Sequence, residues 1–330
     1  MTNARYDLVV LGDLNPDVIL RGAPETLTFG QAERAVTSAT LTLGGSGALM
    51  AHAAARLGLR TAFVGLVGAD RAADVVLAML TDAGVDISNV VRDPGLATPM
   101  TVVFVRPDGD RAILTAPGAL TSFGPEHIDE RVLLQTLHVH VASVFLQPRL
   151  MEALPRLLTA ARDAGAVTSL DTNDDPSGRW IVDRSLFGAL DYLLPNEREV
   201  VALAFGPSSK ADAVTAARAL AAQGPVVVVK CGAAGACAVH ADAQRFRVER
   251  ARLDPSLTAA LDVVDTVGAG DCFDAGMVAG LVQGLPLRGA LQLAVATGSL
   301  SLRSAGGSDA QPSAAEAGRL AARVVVENEE

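Results

Sequence analysis

Short runs rich in Val and Leu alternate along this chain with Ala-rich stretches of helical period, and that alternation restricts its fold more than any other feature. Residues 6–11, 61–64, 138–142, 167–170, 192–194 and 226–230 read as buried strands. Residues 48–57, 71–83, 149–164, 197–205, 211–222, 272–283 and 287–302 read as helices. Strands separated by helices join through right-handed crossovers, so the expected architecture is α/β, with a mostly parallel central sheet flanked by helices. Half of the residues are apolar, only 4% are aromatic and 31 are Gly, a balance that suits covered parallel strands better than a β-sandwich. Two intervals break the rhythm, about 18–43 and 98–117. In the second, 100–106 and 111–116 flank the turn Pro107-Asp108-Gly109-Asp110 and read as a hairpin. Neither interval has helical periodicity, and the two are expected to form a small β-structured lid over one edge of a single domain spanning 1–330. Residues 326–330 are expected to be frayed.

The formal net charge of −10 argues against a nucleic-acid partner or an anionic membrane. An anionic ligand would have to be held by local dipoles and a metal. Cys231, Cys237 and Cys272 lack metal-ligand spacing and read as small core residues in a reducing compartment. No basic-then-apolar leader opens the chain and no apolar run approaches the ~20 residues that span a bilayer, so a cytoplasmic protein is expected.

The chemistry concentrates in Asp265-Thr266-Val267-Gly268-Ala269-Gly270-Asp271, which leads into a helical pattern. Glycines let a turn bring consecutive N–H groups to one point, and the helix adds its positive end, so Gly268, Ala269 and Gly270 form a candidate phosphate site without a lysine. Asp271 would face whatever approaches that phosphate; an isolated Gly-x-Gly-Asp reads equally as a tight turn with a capping acid. A helix N-terminus lowers a carboxylate's pKa, so Asp271 is expected to be a weak base. A second glycine-rich entry, Leu43-Gly44-Gly45-Ser46-Gly47-Ala48, lacks both the Lys-Ser/Thr of a P-loop and the strand that precedes a dinucleotide fingerprint. Asn196 and Glu199 sit at i and i+3 of a helix start, where they can order the waters of a Mg²⁺ ion or merely cap the helix.

Taken together, the Asp265–Asp271 stretch, the Gly44-Gly45 helix entry closing in Ala55-Arg56-Leu57-Gly58, Gly12-Asp13-Leu14-Asn15-Pro16-Asp17, Val64-Gly65-Leu66-Val67-Gly68-Ala69-Asp70, Asn196-x-x-Glu199 and Lys230-Cys231-Gly232-Ala233-Ala234-Gly235 resemble the PfkB (ribokinase-like) family of ATP-dependent sugar and nucleoside kinases. The resemblance implies ATP and Mg²⁺ as cofactors, Asp271 as catalytic base, and Asn15, Asp17, Gly44, Gly45 and the position of Leu49 around the sugar. It also places Lys230, Gly232, Gly235 and Thr266 at the nucleotide, Asn196 and Glu199 at Mg²⁺ through water, and Asp265 with the Gly306-Gly307 loop at a K⁺ ion. The Val64–Asp70 stretch corresponds to a structural turn. Relatives usually carry Asn where this chain has Leu49 and Leu120, so a more apolar pocket suited to a deoxysugar or nucleoside is expected. Where relatives acting on keto-deoxy acids carry Arg, this chain has Asp175, which is expected to repel an acidic sugar. The expected activity is transfer of the γ-phosphate to a hydroxyl of a small sugar. A nucleoside kinase and a non-catalytic ligand-binding descendant are the alternatives, and a homodimer through the lid is a further expectation.

Overall fold

The computed structural model describes residues 4–26, 29–108, 110–242, 245–258 and 263–329, so Gly109 of the expected hairpin turn lies outside the described residues. Fourteen strands are described: β1 Tyr6–Leu11, β2 Asn15–Arg21, β3 Ser38–Gly44, β4 Thr61–Gly68, β5 Asp86–Asp93, β6 Met100–Val105, β7 Arg111–Ala116, β8 Thr136–Ala142, β9 Val167–Asp171, β10 Tyr192–Leu193, β11 Val226–Lys230, β12 Ala236–Asp242, β13 Arg245–Leu253 and β14 Val324–Glu329. Ten of them build one sheet in the order β14-β13-β12-β11-β10-β9-β8-β1-β4-β5, parallel from β5 through β11 and antiparallel beyond.

The parallel half is buried on both faces, as its unbroken Val/Leu runs require. Along β1, Val9 and Leu11 join a core with Val139, Val141, Leu154 and Leu158 on one side. Leu8 and Val10 join a second core with Ala51, Phe63, Cys272 and Val278 on the other. Chain direction across the sheet reverses at β1, whose neighbours are β8 and β4. Open α/β sheets bind ligands beside the carboxyl ends of strands at such a switch point, and the turns after β1 and β9 lie there.

The lid is a separate four-stranded sheet, β3-β2-β6-β7, built from the two intervals that lacked helical periodicity. Its register aligns Asp17 with Thr101 and Thr115, Ile19 with Val103 and Ile113, and Arg21 with Val105 and Arg111. Since aligned residues share a sheet face, one face carries a polar row, an apolar row and a basic row in succession.

Two expectations need correction. The Val64–Asp70 segment is no turn: β4 runs on to Gly68, and Asp70 then caps the helix Arg71–Asp82, accepting from the Ala73 N–H at 3.0 Å. Residues 326–329 are not frayed, because they pair with β13 as the edge strand β14. Asn15 begins β2, opposite Gly44.

Candidate active site

The turn after β1 and the helix Ser46–Arg56 are built onto each other. Asp13 is buried, and its carboxylate accepts the N–H groups of Ser46 at 3.1 Å and Gly47 at 2.9 Å, capping the helix that Gly45 opens. Asn15 donates to Asp17 Oδ1 at 2.7 Å and to Thr101 Oγ1 at 3.3 Å. Asp17 lies so close over Gly44 that a Cβ there would sit 1.9 Å from its Oδ1, so any side chain at this position would displace the Asp17 carboxylate. Burial and the charge of Asp13 push Asp17 up to about 7.

The signature turn stands opposite. Gly268 takes φ 72° as N-cap of the helix Ala269–Val282, a left-handed conformation that suits glycine. Cys272 is the first residue whose N–H closes a helical bond, onto the Gly268 carbonyl at 2.9 Å; ahead of it the Ala269 N–H makes a long bond to the Thr266 carbonyl at 3.4 Å, and the N–H groups of Gly268 and Gly270 are left to meet an anion. Asp271, the helix's third residue, is 7% exposed. Its pKa is pushed up to about 8, by burial first and by the charge of Asp171 second, with Lys230 opposing. The expectation of a weakened base is therefore corrected: desolvation outweighs the helix dipole.

Lys230 accounts for the charge beneath this turn. From the end of β11 its ammonium reaches Asp171 Oδ2 at 2.5 Å and Asp274 Oδ2 at 3.2 Å. A Cβ on Gly270 would lie 3.6 Å from that nitrogen. Burial alone would lower the lysine's pKa, but the charges of Asp171, Asp274 and Glu199 hold it well above its ordinary range. Burial keeps Asp274 well above the carboxylate range and makes it a hydrogen-bonding acid toward Asp171. The ammonium expected at the nucleotide is thus turned inward, and what remains toward solvent is the short 3₁₀ turn Gly232–Ala234 followed by Gly235. Sequence reading missed Asp13 and Asp274. An acid three residues beyond Asp271 in an otherwise apolar helix was the available signal for Asp274.

Asn196 and Glu199 form a reciprocal capping box. Glu199 Oε2 accepts the Asn196 backbone N–H at 2.8 Å, Oε1 accepts its side-chain amide at 2.6 Å, and Asn196 Oδ1 caps the Glu199 N–H at 2.9 Å. Asn196 also bridges to Lys230 in the sheet, which brings the box beside the buried ion cluster. Burial and the charge of Asp171 push Glu199 up to about 7. Asn173, with φ 56°, joins the ends of β8 and β9 to the Ser46 helix by accepting from the Ser143 N–H at 2.9 Å and donating to Ser46 Oγ at 2.9 Å.

Other expected site residues fall elsewhere. Leu49 is 4% exposed, and its methyl groups would lie 3.3 Å from a Cβ on Gly268 or Gly307, so it props the signature turn from below. Leu120 is buried in the 3₁₀ helix Gly118–Ser122. Neither makes the pocket apolar. Leu49→Asn is expected to cost about 1–3 kcal/mol of stability, by burying an amide without a partner. It should also lower turnover on every sugar rather than change the preference among them; urea unfolding and a sugar panel would check both. Asp175 accepts from the N–H and hydroxyl of Ser177 and the N–H of Trp180, so both of its oxygens are engaged within its own loop. Asp265 meets Arg21 at 3.1 Å and accepts the Gly306 N–H at 3.4 Å. A guanidinium and an N–H donor thus face Asp265, where the resemblance implied a potassium ion. Cys231 is pushed up to about 11 by burial, against a reactive thiolate.

The model of the pfkB family of carbohydrate kinases matches residues 5–314. The chain belongs to that family. It is similar to the ATP-dependent ribose-1-phosphate kinase of Halopiger xanaduensis, at 32% identity over 94% of this chain and 97% of that protein. It also resembles the 5-dehydro-2-deoxygluconokinase of Geobacillus kaustophilus, at 27% identity over 94% and 92%. The structure of Arabidopsis thaliana ribokinase complexed with ribose and ATP superposes with a TM-score of 0.82 at 25% identity, covering 96% of this chain and 98% of that one. As a pfkB carbohydrate kinase, the chain is an ATP-dependent phosphotransferase with an alcohol acceptor, on a ribokinase fold. Among the described residues no helix is long and apolar enough to cross a membrane.

Proposed function

We propose that this kinase transfers the γ-phosphate of ATP to a hydroxyl of a small ribose-type sugar, with Asp271 as the base. The observation that carries the proposal is the buried carboxyl of Asp271 in the first turn of a helix that Gly268 opens, where helix N–H groups converge. The N–H groups of Gly268, Ala269 and Gly270 receive the phosphoryl group and stabilise the charge that develops on it. Asp271 accepts the alcohol proton as the oxygen attacks. A carboxylate held near 8 is a better proton acceptor at neutral pH than an ordinary one, and the loose transition state asks mainly for positioning.

Asn15, Asp17, Gly44 and Gly45 are proposed to hold the sugar hydroxyls. The polar row Asp17, Thr101 and Thr115 favours a hydroxylated sugar over the deoxysugar or nucleoside first expected, while the relatives divide between names for ribose or ribose 1-phosphate and for a 2-deoxygluconate. Gly232, Gly235 and Thr266 are proposed to line the nucleotide through their backbone. Outside the lid, Val18, Leu41, Val102 and Leu114 align on one face, with Leu41 and Leu114 exposed, which supports a homodimer through this sheet.

The residues fit a hydrated Mg²⁺. Asp171, Asp271, Asp274 and Glu199 gather around the one ammonium of Lys230, and hard oxygen donors in excess of cations suit this ion. Among the described residues no group of three or more His, Cys, Asp or Glu side chains is arranged to hold a metal ion directly. Each Glu199 oxygen spends one lone pair on Asn196 and keeps another for a metal-bound water. When bound, Mg²⁺ would neutralise phosphate charge. Glu199→Gln is expected to shift the Mg²⁺ titration of activity several-fold upward with the sugar KM unchanged. An unchanged titration would leave Glu199 as a helix cap alone.

The experiment that tests the function is an ADP-release screen over pentoses, pentose phosphates, hexoses, deoxysugars and nucleosides with Mg²⁺. ADP release with a hydroxylated pentose or its phosphate is expected. Release only with nucleosides, or none, would overturn the proposal.

A further inference from the structure

Asp265 opens the signature loop, and its side chain is only 13% exposed. Its Oδ1 accepts the Val267 N–H at 3.1 Å, fixing the loop just ahead of Gly268. Its Oδ2 lies 3.1 Å from Arg21, and Oδ1 lies 3.9 Å from Arg111. Arg21 ends β2 and Arg111 begins β7, so both cations come from the basic row of the lid, whereas the carboxylate belongs to the body of the domain. Between them runs a groove of about 330 Å³, walled by Ile19, Val103 and Val105 of the lid and by Val264, Asp265 and Thr266 of the loop.

A carboxylate three residues before an anion-binding turn opposes anion binding unless a positive charge offsets it. Arginine suits that task because it stays charged at every working pH and offers several donors in a fixed plane. We propose that Arg21 is a positioning residue of the phosphoryl transfer: its guanidinium ties the lid to Asp265, so that closing the lid and shaping the anion-binding turn are one event. The fixed charge also takes the place of a mobile monovalent cation at Asp265, which makes the kinase indifferent to K⁺. The inference rests on the proposed nucleotide seat at the signature turn. Arg111 stands farther off and assists.

The test uses the full chain with Mg²⁺-ATP as the probe, so it does not depend on which sugar is the acceptor. Titration calorimetry would compare wild type, Arg21→Met and Arg21→Lys in choline chloride and in KCl of equal ionic strength. Wild type is expected to bind equally in both salts. Arg21→Met is expected to bind about tenfold more weakly in choline, the scale of one partly exposed charge-assisted bond, and to recover several-fold in K⁺. Arg21→Lys should fall between the two. Because an open lid admits water to the γ-phosphorus, Arg21→Met should also release more inorganic phosphate from ATP without an acceptor. Wild-type affinity in Arg21→Met in both salts would overturn the proposal. So would a K⁺ response as large in wild type as in Arg21→Met. If Arg21→Met does not fold, Arg21→Lys decides alone: affinity equal to wild type, with no gain from K⁺, overturns the proposal. Failure of wild type to bind Mg²⁺-ATP at all would instead reject the nucleotide seat.

Discussion

Asp271→Asn is expected to lower turnover about 10²–10⁴-fold at saturating sugar while leaving Mg²⁺-ATP affinity nearly unchanged, because the amide keeps the shape and loses the proton acceptor. The same substitution should stabilise the unliganded protein. The buried carboxyl holds its proton up to about 8 when folded and releases it near 3.8 when unfolded. Its contribution to stability is therefore fully present below about 4 and lost as pH rises through about 8. Asparagine has no proton to lose, so the variant should gain on wild type progressively across that window, by on the order of 5 kcal/mol at pH 8. In the same window kcat/KM of wild type should rise with pH toward a plateau above about 8. Turnover within a few-fold of wild type would remove Asp271 from the base role. A pH-independent stability difference would contradict the desolvated environment assigned to it.

The sequence displayed those parts of the fold whose local chemistry and tertiary role agree. Residues 6–11 and 226–230 are strands with the predicted limits because each is an apolar run buried on both faces, and 197–205 is a helix with the predicted limits because its capping box is local. The antiparallel edge was not legible. In β13, Arg245, Arg247 and Arg250 punctuate Phe246, Val248 and Ala251, so the segment lacks the apolar continuity of a buried strand. The Val/Glu end of β14 becomes a strand only through its pairing with β13. At the site, motifs fixed which turns matter, but not where their side chains point. The resemblance places Leu49 at the sugar, because relatives carry Asn there, whereas helical geometry sends it beneath Gly268. Arg21 and Asp265 are 244 residues apart in the chain, and no local pattern joins a lid strand to the loop it meets.

Lys230→Met is expected to be the most destabilising substitution in the site. The ammonium is 13% exposed, between Asp171 at 2% and Asp274 at 1%, and Glu199 adds a third acid to its surroundings. Methionine preserves most of the stem's packing, so the cost arises from buried carboxylates that lose their counter-ion, about 3–5 kcal/mol by comparison with other broken buried pairs. The acids can escape by taking up protons, which is easier at low pH. The penalty should accordingly be larger at pH 8 than at pH 6. Adding Asp171→Asn removes the carboxylate that the ammonium pairs with and should recover part of the loss, giving a coupling energy in a double-mutant cycle that two independent sites would not show. Urea unfolding of the four proteins at both pH values would measure these effects. A penalty below about 1 kcal/mol, equal at the two pH values, would mean that Lys230 is a space-filling residue and that the charge beneath the signature turn is balanced by another group.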